Sequence, residues 1–197
     1  MTKSLVMKKI ILTIIAALLA APPAFSQQIV SSTNGEITFF SEAPIENIEA
    51  VSRSLNSVLN TETNDILFVV SIRSFEFEKE GIKEHFLKKK EEFNNKYMES
   101  DKYPTATFNG TISGAVDYSK DGVYEVTATG KLKIHGVEQP RTEQGTILVK
   151  DGIISLSGQF TVSLKNFNVE IPKLLTQNIA ETVKVTYNVT YNPFENK

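Results

Sequence analysis

The sequence contains no cysteine and only two histidines among its 197 residues. The absence of cysteine excludes a disulfide framework, and it also excludes an N-terminal cysteine that could carry a lipid. The fold must therefore rest on side-chain packing and backbone hydrogen bonds.

The motifs of common catalytic and metal sites are missing as well. There is no Gly-x-Ser-x-Gly elbow and no Gly-rich phosphate loop. His85 and His135 lie fifty residues apart, and neither has a second His or a Cys at metal-binding spacing. We therefore interpret both histidines as turn and packing residues, and we expect no catalytic residue, no metal and no cofactor.

Long apolar runs are confined to the N-terminus. Lys8 and Lys9 precede an apolar run over residues 10–21, and small residues surround a potential cleavage point after Ser26. The run is too short to span a bilayer, and the pattern is typical of a secretory signal peptide. We predict a signal peptide over residues 1–26, a single domain over residues 27–197, and a periplasmic or secreted location.

Removal of this leader changes the charge of the chain. It contains Lys3, Lys8 and Lys9 and no acidic residue, so the mature chain keeps 21 − 3 = 18 basic and 23 acidic residues, a net charge of −5. Nonspecific nucleic-acid binding is not expected of such a chain, and an anionic membrane is a poor partner for it. We expect neither a nucleic-acid partner nor stable membrane insertion.

Most of the remaining sequence alternates between apolar and polar residues. The clearest case runs over residues 122–134, with Tyr124, Val126 and Leu132 on the apolar face. A period of two predicts strands with one buried face. Asn34-Gly35 predicts a two-residue hairpin turn. Residues 46–60 are ambiguous between helix and strand, because their apolar residues have helical spacing among many Ser and Asn.

One segment in the middle of the chain has helical periodicity instead. Ile82, Phe86, Phe93 and Tyr97 are spaced by 4, 7 and 4 residues, which places them on one stripe of a helix. The residue before Pro104 is disfavoured in the α region, so the helix must end before that proline. We predict one amphipathic helix between two groups of strands.

Six short motifs together resemble the YceI-like family, and the resemblance covers nearly the whole chain after the leader. They are Ser74-Phe75-Glu76-Phe77, Glu84-His85-Phe86, Tyr97-Met98-Glu99-Ser100, Lys102-Tyr103-Pro104, Ala106-Thr107-Phe108 and Ile134-His135-Gly136-Val137. Leu87 to Phe93 form an apparent insertion of seven residues between the second and third motifs.

The resemblance implies an all-β fold, an eight-stranded antiparallel lipocalin-like barrel with one amphipathic helix inserted mid-chain. It also implies a tunnel for an apolar isoprenoid-type lipid or a quinone, and a strand rather than a helix over residues 46–60. The ligand-binding residues expected from the apolar faces and motifs are Phe75, Phe86, Phe108, Gly110, Ile112, Tyr124, Val126, Gly130, Leu132, Phe160 and Tyr187.

Glycines on the predicted apolar faces have two compatible interpretations. Gly110, Gly114, Gly130 and Gly158 stand among large residues. Glycine permits a strand to bend at a barrel corner, and the missing side chains would also leave room for a ligand.

Two other functions remain open from the residues alone. A small outer-membrane barrel has the same alternation with its apolar face turned outward, although Lys and Glu in the mid-chain helix and at the C-terminus oppose it. An enzyme of unknown type is the second, and no group of residues supports it. A periplasmic binding or carrier protein is the favoured function.

Overall fold

The computed structural model describes residues 29–77, 83–172 and 177–193, and it describes side chains for all of these except residues 83–87 and 193. The predicted signal peptide lies outside these ranges.

Nine strands and one α-helix are present in the described ranges. The strands are β1 (Ile29–Glu42), β2 (Asn47–Asn60), β3 (Asp65–Ser71), β4 (Glu76–Phe77), β5 (Thr105–Ser113), β6 (Gly122–Ile134), β7 (Val137–Lys150), β8 (Ile153–Ser163) and β9 (Thr182–Pro193). The helix α1 spans Lys83–Glu92. Short 3₁₀ turns follow β3 over Ile72–Ser74 and β8 over Leu164–Phe167.

The strands form a closed antiparallel barrel. Hydrogen bonds run in the order β1-β9-β8-β7-β6-β5-β3-β2, and β1 pairs with β2 to close the ring of eight strands. The two-residue strand β4 adds to the outer edge of this order by pairing with β2. The predicted fold, an eight-stranded antiparallel barrel with one helix inserted mid-chain, is confirmed.

The predicted hairpin at Asn34-Gly35 is wrong, because both residues lie inside the single strand β1. The pairing of β1 with β2 shifts register between Ser32 and Gly35 and again between Gly35 and Ile37. An irregularity of this kind bends a strand without reversing it. Asn34-Gly35, a pair that often forms a hairpin turn, therefore forms a β-bulge in this protein.

The same bulge explains why β2 resembles a helix in sequence. Its buried residues include Ala50 and Ser52 before the shift, and Leu55, Ser57 and Leu59 after it. The buried positions of β2 thus change from even to odd residue numbers, which interrupts the period of two expected of a strand. Two of these buried positions, Ser52 and Ser57, are also polar. The buried hydroxyls are satisfied locally, since Ser52 Oγ lies 2.7 Å from Ser74 Oγ and Ser57 Oγ lies 2.8 Å from Tyr191 Oη.

The helical segment continues beyond α1 as one π-helical turn over Phe93–Tyr97. Met98 donates its backbone N–H to the carbonyl oxygen of Phe93 at 2.9 Å, which is the wider spacing of a π-turn. Phe93 and Tyr97, two members of the predicted stripe, lie in this turn. The other two, Ile82 and Phe86, lie outside the residues or side chains that the structure describes.

The two ends of the barrel differ in packing. The end where β2 joins β3 and β7 joins β8, here called the turn end, is filled by side chains that are almost completely buried. Among them are Leu59, Ile66, Ile147, Val149 and Val189, each at most 2% exposed. The opposite end, where β1 joins β2 and α1 lies, is called the helix end. Among the described residues, side chains thus fill the turn end, and the cavities described below lie towards the helix end.

Gly110 and Gly130 serve close packing of strands and do not leave open space. They face each other across β5 and β6. A Cβ atom on Gly130 would lie 2.3 Å from Asn109 O and 2.5 Å from Gly110 Cα, both backbone atoms of β5. The interpretation of these two glycines as room for a ligand is therefore wrong, because their missing side chains are replaced by the neighbouring backbone.

His135 joins three connections at the helix end. It occupies the β6–β7 turn with φ of 51°. Its Nε2 donates to Glu99 Oε2 at 2.7 Å, and its Nδ1 lies 3.2 Å from the carbonyl oxygen of Phe167. The Tyr103 ring packs edge-on against it at 4.6 Å between centroids. His135 thus connects the β6–β7 turn to the end of the helical segment and to the β8–β9 connection. The side chain of His85, the other histidine in a family motif, is not among those that the structure describes.

We expect Gly130→Ala to lower the free energy of unfolding by about 1–3 kcal/mol, because β5 and β6 must separate to admit the methyl group. Urea unfolding followed by circular dichroism measures this change. Thr129→Val, one residue away on the exposed face, should unfold within about 0.5 kcal/mol of the wild type. Equal stability of Gly130→Ala and wild type would contradict the close approach.

We expect His135→Gln to cost roughly 1–3 kcal/mol of stability, since Glu99 and the Phe167 carbonyl lose their shared partner. Uptake of an apolar ligand should stay within a few-fold of wild type. Lys133→Gln, exposed on the same strand, is the control. A large loss of ligand uptake in a folded His135→Gln variant would show that the histidine has a direct functional role.

Candidate ligand-binding cavity

Two adjoining chambers that share part of their lining lie at the helix end of the barrel. The larger, here called the wide chamber, has a volume of about 450 Å³. The smaller, called the narrow chamber, lies deeper in the barrel and has a volume of about 70 Å³. Both are lined by Ile37, Val70, Ala106, Leu132 and Phe160, so the chambers meet at the level of these five residues.

An aromatic cluster forms one wall of the wide chamber. The Phe93 ring stacks on Phe39 at 5.3 Å and meets the edges of Phe75 and Phe77 at 6.0 and 5.3 Å. Such rings bury a large apolar area and prefer these offset and edge-on geometries. Phe93 thereby fixes the end of the helical segment to β1 and to the chain around β4.

The opposite wall comes from the connection between β8 and β9. Leu164 and Val169 contact the chamber, and Asn168 lies between them with φ of 55°, which ends the 3₁₀ turn. Two hydrogen bonds attach the connection to the start of the barrel. Ala180 N donates to Ser41 Oγ and Ile45 N donates to the carbonyl oxygen of Gln177, each at 2.9 Å.

Charged residues of α1 stand at the rim of the wide chamber. Lys88, Lys89 and Glu92 line it, and Lys89 forms an ion pair with Glu46 in the β1–β2 connection. All three helix residues belong to the apparent insertion of residues 87–93. The insertion therefore contributes the rim and, through Phe93, part of the aromatic wall.

Four aromatic rings surround the narrow chamber. Phe68 lies 6.4 Å from Phe108 and 5.3 Å from Tyr187 between ring centroids, and Phe160 lies 6.3 Å from Tyr187. Tyr187 lies across the strand pair β7–β8 where two glycines face each other. A Cβ on Gly158 would lie 2.5 Å from its hydroxyl oxygen. The missing side chain thus gives space to a tyrosine.

The narrow chamber also contains the only two charged side chains in its described lining, Arg141 and Glu143. They form an ion pair, and each side chain is about a quarter exposed, 23% and 24%. Burial, together with the smaller effect of the negative charge of Glu143, raises the pKa of Tyr187 to about 12. The phenol is therefore protonated at physiological pH and remains a hydrogen-bond donor.

Five of the predicted ligand-binding residues line a chamber: Phe75, Phe108, Leu132, Phe160 and Tyr187. Five others do not belong to either lining: Gly110, Ile112, Tyr124, Val126 and Gly130. Ile112 and Val126 are buried in the packed part of the barrel. The Phe86 side chain is outside the described ones. Contact of any of these residues with a ligand remains a prediction.

Sequence reasoning missed Arg141 and Glu143. The alternation in the sequence predicts a strand only over residues 144–150, because Pro140 and several polar residues interrupt the first half of β7. The residues at 137, 139, 141 and 143 nevertheless lie on the same face of β7 as the buried Ile147 and Val149, because each is separated from them by an even number of positions. Extending the strand backwards in that phase would have placed both charged residues on the inward face.

No group of three or more His, Cys, Asp or Glu residues within the described ranges has the geometry to hold a metal ion. None of the helices in those ranges combines the length and the apolar content needed to cross a membrane.

Solved structures with the same fold include three proteins of low sequence identity. BcnA of Burkholderia cenocepacia shares 16% identity at a TM-score of 0.64, over 79% of this chain and 95% of that one. A polyisoprenoid-binding domain from Saccharophagus degradans shares 15% at 0.66, over 86% and 100%. The YceI protein of Campylobacter jejuni shares 17% at 0.53, over 72% and 81%.

Comparison with curated protein sequences finds no match. The sequence model of the YceI-like domain, in contrast, matches residues 25–191. This match spans nearly the whole barrel, from the residues just before β1 into β9. The protein therefore belongs to the YceI-like domain family.

Proposed function

We propose that the protein is an exported binding or carrier protein for a long apolar ligand, an isoprenoid lipid or a quinone, held inside the barrel. The observation that carries this proposal is the pair of adjoining, predominantly apolar chambers inside the barrel, the larger of which is lined in part by α1. The polyisoprenoid-binding domain from Saccharophagus degradans has the same fold.

The chemistry of the walls favours a long hydrocarbon chain. Each methylene group transferred from water to an apolar site contributes about 0.8 kcal/mol. A chain of several isoprene units can therefore bind tightly with few polar contacts. Cavities that bind small polar substrates need more polar groups in fixed positions than these walls provide.

The orientation of the strand faces argues against the membrane-barrel alternative. Apolar side chains line the interior, whereas outward positions of β6 and β7 include Lys131, Lys133 and Glu138, all exposed. Charged residues on a lipid-facing surface would be costly near the middle of a bilayer. For the enzyme alternative, no feature of the described cavity lining points to a particular reaction.

Direct identification of the ligand tests the proposal. The mature protein is purified without detergent, extracted with organic solvent, and the extract is analysed by mass spectrometry. We expect an isoprenoid lipid or quinone in near-stoichiometric amount. Absence of any apolar molecule, together with failure of the purified protein to take up added isoprenoid lipids, would overturn the proposed function.

We expect Ala106→Phe to abolish ligand uptake while the barrel still folds. Ala106 lies where the two chambers meet, so an added ring would occupy the passage between them. Empty space should limit the cost of the larger side chain, which in a filled core is about 1–3 kcal/mol. Displacement of a fluorescent apolar dye measures uptake, and circular dichroism confirms folding.

The matched control for this variant is Thr105→Phe, one residue earlier on β5 and exposed. It should leave dye displacement unchanged. A folded Ala106→Phe variant that takes up ligand as well as wild type would mean that the ligand does not pass this point of the barrel.

We expect cleavage of the signal peptide after Ser26 and release of the mature protein by osmotic shock. The mass of the purified protein should correspond to a chain that begins at Gln27. Recovery of an uncleaved chain from the cytoplasm would contradict export, and recovery only in detergent extracts of the outer membrane would favour the membrane barrel.

A further inference from the structure

Strand register turns Arg141 and Glu143 towards the interior of the barrel. In the pairing of β6 with β7, Arg141 lies opposite Gly130 and Glu143 lies opposite Ala128. Paired residues share a face of the sheet, and this is the inward face of β6. The two charged side chains therefore stand among apolar walls.

Arg141 lies where the pairing between β7 and β8 ends, and a hydrogen bond to β8 holds it there. Pairing between β7 and β8 stops at Gly145 and Gly158, although β8 continues to pair with β9 as far as Ser163. Beyond the last pair, Arg141 Nη2 donates to the backbone carbonyl oxygen of Thr161 at 2.8 Å. The guanidinium thus substitutes for the missing backbone donor, and this contact, together with the ion pair to Glu143, fixes its position.

The fixed guanidinium retains donors for a ligand. Both hydrogen bonds of Arg141, to Glu143 and to Thr161, start from Nη2. Nε and Nη1, which carry three further N–H groups, have no acceptor among the described residues. The Tyr187 hydroxyl, protonated at physiological pH, lines the same chamber.

The charge of the chamber determines which acceptor these donors suit. Arg141 and Glu143 are the charged groups in its described lining, and their charges cancel. A phosphate placed here would face the carboxylate of Glu143 while sharing a guanidinium that is already paired. Bringing an anion out of water without a compensating charge is costly. An uncharged oxygen acceptor accepts the same hydrogen bonds without that penalty.

We propose that the narrow chamber binds an uncharged, oxygen-bearing head group of the lipid, with Arg141 and Tyr187 as its hydrogen-bond donors. Arg141 has N–H groups available for a ligand, its charge is balanced by Glu143, and aromatic side chains surround both residues. The chamber has a volume of about 70 Å³, space for on the order of five water molecules, which suits a compact group such as one ring or one ketone. The tail then extends through the wide chamber towards the rim.

This inference rests on the proposed function, and three probes with isoprenoid chains separate the two. Geranylgeranylacetone carries a ketone, geranylgeranyl phosphate carries an anion, and squalene carries no polar group. Their affinities are measured by displacement of a fluorescent apolar dye from the mature protein. We expect the ketone to bind more tightly than the phosphate. Failure of all three probes to bind would overturn the proposed function together with this inference.

The decisive variant replaces both members of the ion pair, Arg141→Met with Glu143→Met, so that no charge is left unpaired. We expect ketone affinity to fall about ten-fold or more, the worth of a hydrogen bond from a charged donor. Squalene should bind unchanged or more tightly. The matched control is Lys131→Met with Glu138→Met, an exposed ion pair between the same two strands, which should change neither affinity.

Tyr187→Phe provides a second test that does not disturb the ion pair. It removes only the hydroxyl group, and we expect a loss of ketone affinity of a few-fold with no loss for squalene. Equal changes for ketone and squalene in both variants would overturn the head-group site. Tighter binding of the phosphate than of the ketone in wild type, lost in the double variant, would replace it with an anion site.

Discussion

Closure of the sheet between β1 and β2 is the constraint on which the other features of the structure depend. Once the ring is complete, each of its eight strands pairs with a neighbour on both sides over at least part of its length, and the inward side chains face one limited interior. Closure fixes the register between neighbouring strands, and the register determines which residues of each strand face the interior. Regular pairing is interrupted at the bulge in β1 and where β7 separates from β8.

The interior is divided by how side chains fill it. Leu59, Ile147 and Val189 are fully buried at the turn end, so a ligand has no space there. At the helix end β7 and β8 separate, and residues of α1, of the aromatic cluster and of the described part of the β8–β9 connection line the wide chamber. One barrel thus combines close packing at the turn end with space at the helix end.

Sequence reasoning reached the fold but only part of the candidate site. Alternation and the family motifs predicted the strands and the closed barrel, because burial of one face dictates a period of two. Sequence reasoning failed for features that depend on contacts between residues far apart in the chain. The contact between Gly110 and Gly130 depends on which strands become neighbours, and the inward direction of Arg141 depends on a register that runs through Pro140. Neither fact is encoded within a short window of residues.

Apolar walls and polar groups have different roles in a cavity of this kind. Burial of hydrocarbon supplies most of the affinity, but it distinguishes lipids only by length and bulk, since any chain that fits gains a similar free energy per methylene. Discrimination between head groups needs a donor or acceptor whose partner is lost when the wrong ligand binds. Arg141 is suited to that role, because Glu143 balances its charge while its Nε and Nη1 keep N–H groups that can donate to a ligand.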